Sequence, residues 1–168
     1  MRKPATNTKR QIMKWKKWLE NWDMTSLKIN LKFLEMEWQP NAADKDAAWE
    51  LYIELLTRIA TQYLEPEEGD EKTALESIHR IFDLTRTTIK NHKRDCVEFT
   101  KIAIVALNQL IRPFTAKWHR EMLAGAFEGL EKRRQFRSEL RPLQDKIRIY
   151  TKMLAEMAEV EDLTTIEE

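Results

Sequence analysis

Glu76-Ser-Ile-His79 places a carboxylate and an imidazole three residues apart, which on a helix puts both on one face within reach of a single ion. A di-iron or di-manganese bundle needs that pair twice, with two further glutamates, and this chain holds the pattern once. His92 and Cys96 stand four residues apart and have the types that clip zinc. A structural zinc takes four ligands, and only His79 and His119 remain as nitrogen donors. Hydrogen-bonded or solvated roles suit these histidines better than metal ligation. Cys96 precedes an apolar helical run; an open helix N-terminus would make its thiol reactive, whereas a small buried group beside Phe99 needs no chemistry, and the second reading is preferred.

Other catalytic layouts lack parts. Three glycines, at 69, 125 and 129, leave no phosphate-cradling loop and no dinucleotide fingerprint. Ser26, Ser77 and Ser138 are the only serines, and none stands in a nucleophile elbow. No catalytic, cofactor or metal residue is assigned, and the chain reads as a non-enzyme without a cofactor.

Residue types suited to binding are more prominent. MKWKKWLENW, residues 13–22, spaces Trp15, Trp18 and Trp22 along one helical face, flanked by Lys14, Lys16 and Lys17. Each indole represents roughly 150–250 Å² of surface, at about 25 cal/mol per Å², so three of them must cover something. The protein's own core leads as that surface, a protein partner follows, and lipid or nucleic acid come last. A second basic region holds Lys132, Arg133, Arg134 and Arg137. Such cations with nearby indoles fit nucleic acid, but a net charge of +1 is far from the basic balance usual in nucleic-acid-binding domains. Lysine-flanked tryptophans also describe a helix lying in a membrane interface.

The elements that would carry these residues follow from composition and period. Scarce Gly and Ser with 34% charged residues is a helical composition. Length fits one domain, 1–168. A Trp- and Lys-rich helix is expected within 1–23, starting after Thr6, Asn7 or Thr8. Residues 27–38 alternate apolar and polar side chains and read better as an extended segment than as a helix, with no second strand in the chain to pair with. Helices are expected at about 42–64, at about 73–91 with a Thr73–Glu76 capping box, and after Asp95, where apolar residues on nearly all faces suggest the bundle centre. Pro113 should break or kink that last helix. The segment 127–160 carries Phe136, Leu140, Leu143, Ile147, Tyr150, Leu154 and Met157 at alternating gaps of four and three, a heptad seam whose phase runs through Pro142. The fold class is thus an all-α single-domain bundle of five or six helices.

The lone Cys96 excludes an intramolecular disulfide, and no N-terminal apolar segment resembles a secretory signal, so a cytoplasmic location is expected. The most apolar run, IAIVALNQLI at 102–111, is about half of the roughly 20 residues of a transmembrane helix.

GDEKTALESI (69–78), DAAWELYIELLTRI (46–59) and CVEFTKIAIVALNQLIRPFTAKWH (96–119) resemble an uncharacterised family of small bacterial helical proteins. The resemblance covers about residues 24–125, implies a bacterial source, and supplies neither an activity nor a catalytic residue.

These readings converge on a non-enzymatic interaction or regulatory module, an accessory protein that binds a protein partner or self-associates. Its expected contact residues are Trp15, Trp18, Trp22, Leu27, Ile29, Leu31 and Phe33, since five of the six tryptophans lie at or before position 49 and Trp is enriched in binding hot spots. A nucleic-acid binder using the basic residues of 1–17 and 132–141, and a peripheral membrane protein held by the first helix, are the alternatives.

Overall fold

The computed structural model describes residues 13–166. In chain order they form β1 (Met13–Lys14), α1 (Trp15–Asn21), α2 (Leu31–Leu34), β2 (Glu37–Trp38), α3 (Ala42–Leu56), α4 (Glu71–His79), α5 (Ile81–His92), α6 (Val97–Ala106), α7 (Arg112–Leu123) and α8 (Leu130–Ala158). The fold is all-α, a single helical domain with one two-residue ladder, β1 antiparallel to β2.

The 29 residues of α8 span about 43 Å and supply one wall of the core. All seven residues of the heptad seam are buried. The helix runs unbroken through Pro142, whose missing N–H faces solvent beside exposed Ser138, where water can serve the carbonyl left without a donor. α3 packs along α8 more extensively than any other pair of helices, and it also meets α5 and α6, while α4 meets α7 and α8.

Several boundaries differ from the sequence expectation, each for a tertiary reason. α3 stops at Leu56 instead of reaching Tyr63, because Gln144, buried on α8, donates to the carbonyls of Ile59 and Gln62 at 2.6 and 2.9 Å and offers the chain an alternative to helical bonding. α4 begins at Glu71, earlier than the Thr73 box: the Asp70 carboxylate accepts the Thr73 N–H and hydroxyl at 2.9 and 2.6 Å. Those two bonds hold the Asp70 carboxyl below its ordinary value. The expected helix at 73–91 is divided at Arg80, a single turn residue with right-handed helical dihedrals between α4 and α5. Near Pro113 the helix widens into a π turn, Leu107–Ile111, in which the Arg112 N–H reaches back to the Leu107 carbonyl before α7 continues.

Residues 27–38 are not one extended strand. Asn30 accepts the Lys32 N–H and starts the single turn of α2, and within 27–38 the strand is limited to Glu37–Trp38. Its partner comes from within the chain: Met13–Lys14, residues that the indole spacing had assigned to the first helix. The expected start of that helix near Thr6–Thr8 lies outside the described residues; α1 proper begins at Trp15.

α6 is not wrapped on every side. Phe99, Ile102, Ala103 and Ala106 are buried, whereas Val97 and Ile104 face outward, 49% and 47% exposed. Asp95 does not cap it either. The cap arrives from α3: buried Asp44 accepts the Phe99 N–H at 3.0 Å with one oxygen and the Asn41 N–H at 2.9 Å with the other, while Asn41 returns a bond from the Asp44 N–H. One carboxylate therefore closes the capping box of α3 and satisfies the N-terminus of α6. Asp44→Ala leaves the buried Phe99 N–H unpaired and opens the capping box of α3, and is expected to lower the unfolding free energy in urea by about 2–4 kcal/mol, with Asp44→Asn losing less.

Candidate functional site

The tryptophan stripe of the first helix faces inward. Trp15 and Trp18 are 1% and 0% exposed. Trp18 lies 4.5 Å from Trp38 between ring centroids, and Trp15 lies 4.8 Å from Phe33 and 5.3 Å from Trp18. Trp22 is half-buried and donates its indole N–H to Glu156 of α8 at 2.9 Å, a carboxylate that also accepts from Trp18 at 3.4 Å. Leu27, Ile29 and Phe33 are half-buried against this core, and Leu31 alone stands out, 75% exposed. The backbone of Lys28 is held in both directions by the side-chain amide of Gln109, which the π turn presents. Lys14, Lys16 and Lys17 line the solvent side of this docked segment.

The basic region on α8 is partly neutralised from within. Lys132 pairs with Glu121 at 2.9 Å, and that bond lowers the Glu121 carboxyl below its ordinary value. Arg137 meets the buried carboxylate of Glu71 at 2.6 Å and donates to the carbonyls of Glu65, Glu68 and Gly69, so it clamps the acidic loop to the bundle. Gly69 takes φ +62° in that loop, and a Cβ there would meet Leu64 at 2.7 Å. Arg133 is half-buried and Arg134 is exposed.

The residues with metal-binding types are dispersed in two-residue contacts. His79 meets His119 edge-on at 4.8 Å; burial and the neighbouring imidazole lower the His119 pKa, with Glu76 opposing them. His92 instead pairs with Glu50 at 3.0 Å, and Glu50 also accepts from Thr88 and Asn91, which joins α3 to α5. The Cys96 thiol is buried and donates to the Lys93 carbonyl. Among the described residues no group of three or more His, Cys, Asp or Glu side chains is arranged to hold a metal, and no helix is long and apolar enough to cross a membrane.

A different surface is open. Between α5 and α6 lies a groove of about 490 Å³ whose apolar floor is Ile89, Val97 and Ile104, with Thr100 between them. Its remaining lining residues are Lys90, Lys93, Arg94 and Lys101, all cationic. Lys101 is answered by Glu98 at 2.7 Å; Lys90, Lys93 and Arg94 have no acidic partner among the described residues. Sequence reasoning missed this groove because it placed α6 at the bundle centre. The signal was present in the seven-residue interval from Val97 to Ile104, which returns two apolar residues to one helix face.

Comparison with family models, with curated proteins and with solved structures gives no match, so the geometry alone carries the functional reading.

One internal site gives a pH-dependent signature. Glu139 on α8 accepts from Lys117 at 2.6 and 2.7 Å, Trp118 at 3.0 Å and Gln135 at 3.1 Å. Burial alone would raise its pKa, but these donors outweigh burial and hold the carboxyl below its ordinary 4.5. A depressed carboxyl stabilises the fold above its unfolded value and loses that contribution as pH falls through the folded one. Glu139→Gln should therefore reduce stability at neutral pH and flatten the loss of stability below pH 4.5, read from urea melts across the acid range.

Proposed function

We propose that the protein is a non-enzymatic interaction module that binds a protein partner along the groove between α5 and α6. The observation that carries this reading is the outward pair Val97 and Ile104 on a helix whose Phe99, Ile102, Ala103 and Ala106 are buried, bordered by Lys90, Lys93 and Arg94, which form no ion pair among the described residues. Apolar side chains gathered in a concave, polar-rimmed site are a feature of interfaces, whereas single exposed ones are ordinary. The N-terminal indoles support a structural part for the first helix: exposing Trp15 and Trp18 to a partner would forfeit several kcal/mol of burial, at about 25 cal/mol per Å². The internal pairing of Lys132 and Arg137 removes half of the cations that a nucleic-acid reading would draw on at 132–137.

The test uses the full chain with a photo-activated benzoylphenylalanine at Thr100, expressed in its native host and irradiated. A covalent adduct to one protein that disappears in the Val97→Asp variant is the expected outcome. Absence of any protein adduct at Thr100 overturns the reading. Sedimentation at two concentrations separates the self-associating version, and a monomer at both ends it.

A further inference from the structure

We infer that the occupant of the α5/α6 groove is an acidic amphipathic helix of a second protein, with apolar residues at i, i+3 or i+4, and i+7 and carboxylates on its flanks. This deepens the proposal that the groove is the contact surface and rests on it.

The sign of the charge comes first. The lining holds four cations and no acid. In a chain with 28 acids against 29 basic residues, ion pairs form on α3, α4, α5, α6, α7 and α8, yet Lys90, Lys93 and Arg94 stay unanswered among the described residues. Three adjoining cations beside an apolar floor repel one another and attract carboxylates. The described part of the protein's own acidic tail, to Ile166, is engaged elsewhere. The Tyr52 hydroxyl donates to the Glu161 carbonyl at 3.0 Å and accepts the Leu163 N–H at 2.7 Å, Arg148 donates to the Thr164 carbonyl, and Lys45 meets Glu159.

The shape selects a helix. Val97 and Ile104 lie two helical turns apart, about 10 Å along α6, and Ile89 faces them from α5. A channel between two helices is the seat that a third helix fills with an apolar stripe of matching period. Competing occupants lack their requirements at this place. An extended peptide needs a sheet edge, and the ladder among the described residues is the two-residue pair at 13–14 and 37–38. A proline-rich peptide needs an aromatic-lined groove, and single-stranded nucleic acid needs stacking platforms; no aromatic residue lines this groove.

The backbone at the rim agrees. Lys93 sits at φ 57°, ψ −141°, a conformation that glycine adopts freely and lysine does not, so the turn between α5 and α6 carries a cation where the backbone alone would favour Gly.

The experiment begins from the Thr100 cross-link. The captured peptide is mapped by mass spectrometry, synthesised with a fluorescent label and titrated by anisotropy against the full chain, wild type and variant. The expected result is an acidic segment with helical apolar spacing. Its affinity should fall by about tenfold or more in Lys90→Glu/Arg94→Glu and in Val97→Asp, weaken as salt is raised, and vanish when its acids are replaced by lysine. Lys93→Gly should weaken binding while raising the melting temperature, a combination that general damage to the fold would not give. Thermal melts of the rim variants check that the exposed substitutions leave the fold intact. A captured segment that is basic, proline-rich or from a second copy of this chain, or an affinity indifferent to Lys90→Glu/Arg94→Glu, overturns this inference and leaves a protein-binding groove standing. No protein adduct at all overturns both.

Discussion

The Asp44 carboxylate holds the start of α3 and the start of α6 at one point, and the surface geometry of the protein depends on that junction. Without it the first turn of α6 has no side-chain cap, because Cys96 supplies none and Asp95 lies in the preceding turn. With it, α6 is anchored by its buried end, and the direction in which it leaves the junction decides which of its apolar residues meet the core. Asn41 adds a bond from its side-chain amide to the Asp95 carbonyl at 2.8 Å, so the turn between α5 and α6 is tied to the same place. The positive φ of Lys93 is then held by fixed structure on both sides, which is how a local conformation of higher energy persists in a folded chain.

Charge is distributed by the same logic. The acidic loop at 65–71 is drawn onto α8 by Arg137, Lys117 and Trp118 converge on Glu139, and Lys45 meets the acidic tail at Glu159. Each contact joins elements distant in sequence, so the nearly neutral chain uses its opposite charges largely to fasten its own parts. What is left unanswered becomes informative. Lys90, Lys93 and Arg94 of the α5/α6 rim differ from the neutralised cations on α8 not in type but in forming no ion pair among the described residues, and they border the apolar floor that α6 turns outward.

The first helix shows the reverse case, a segment that resembles a binding device and serves as part of the core. Trp15, Trp18 and Trp38 pack ring against ring, Phe33 closes one side, and Glu156 receives the indole N–H groups of Trp18 and Trp22. Trp18 and Trp22 suit this position because their ring bodies fill the core while their N–H edges reach Glu156, whereas the N–H groups of Trp15 and Trp38 are buried without a partner. The lysines remain outside and border the covered stripe.

The sequence by itself determined the helical class, the α8 seam and the helical stretch of α3, because scarce glycine and a sustained three-and-four spacing are local properties that tertiary contacts preserve. It also contained the Asn41–Asp44 spacing that starts α3. It did not determine that Asp44 would cap a second helix 55 positions away, that Gln144 would end α3 early, or that Met13–Lys14 would pair with Glu37–Trp38. Those outcomes require a donor and an acceptor from distant segments to meet, and periodicity carries no information about which segments meet. The same limit applies to the groove. The sequence shows Val97 and Ile104 as apolar residues on an apolar helix, and only the placement of α6 beside α5, with no element over its outer face among the described residues, leaves them exposed among cations.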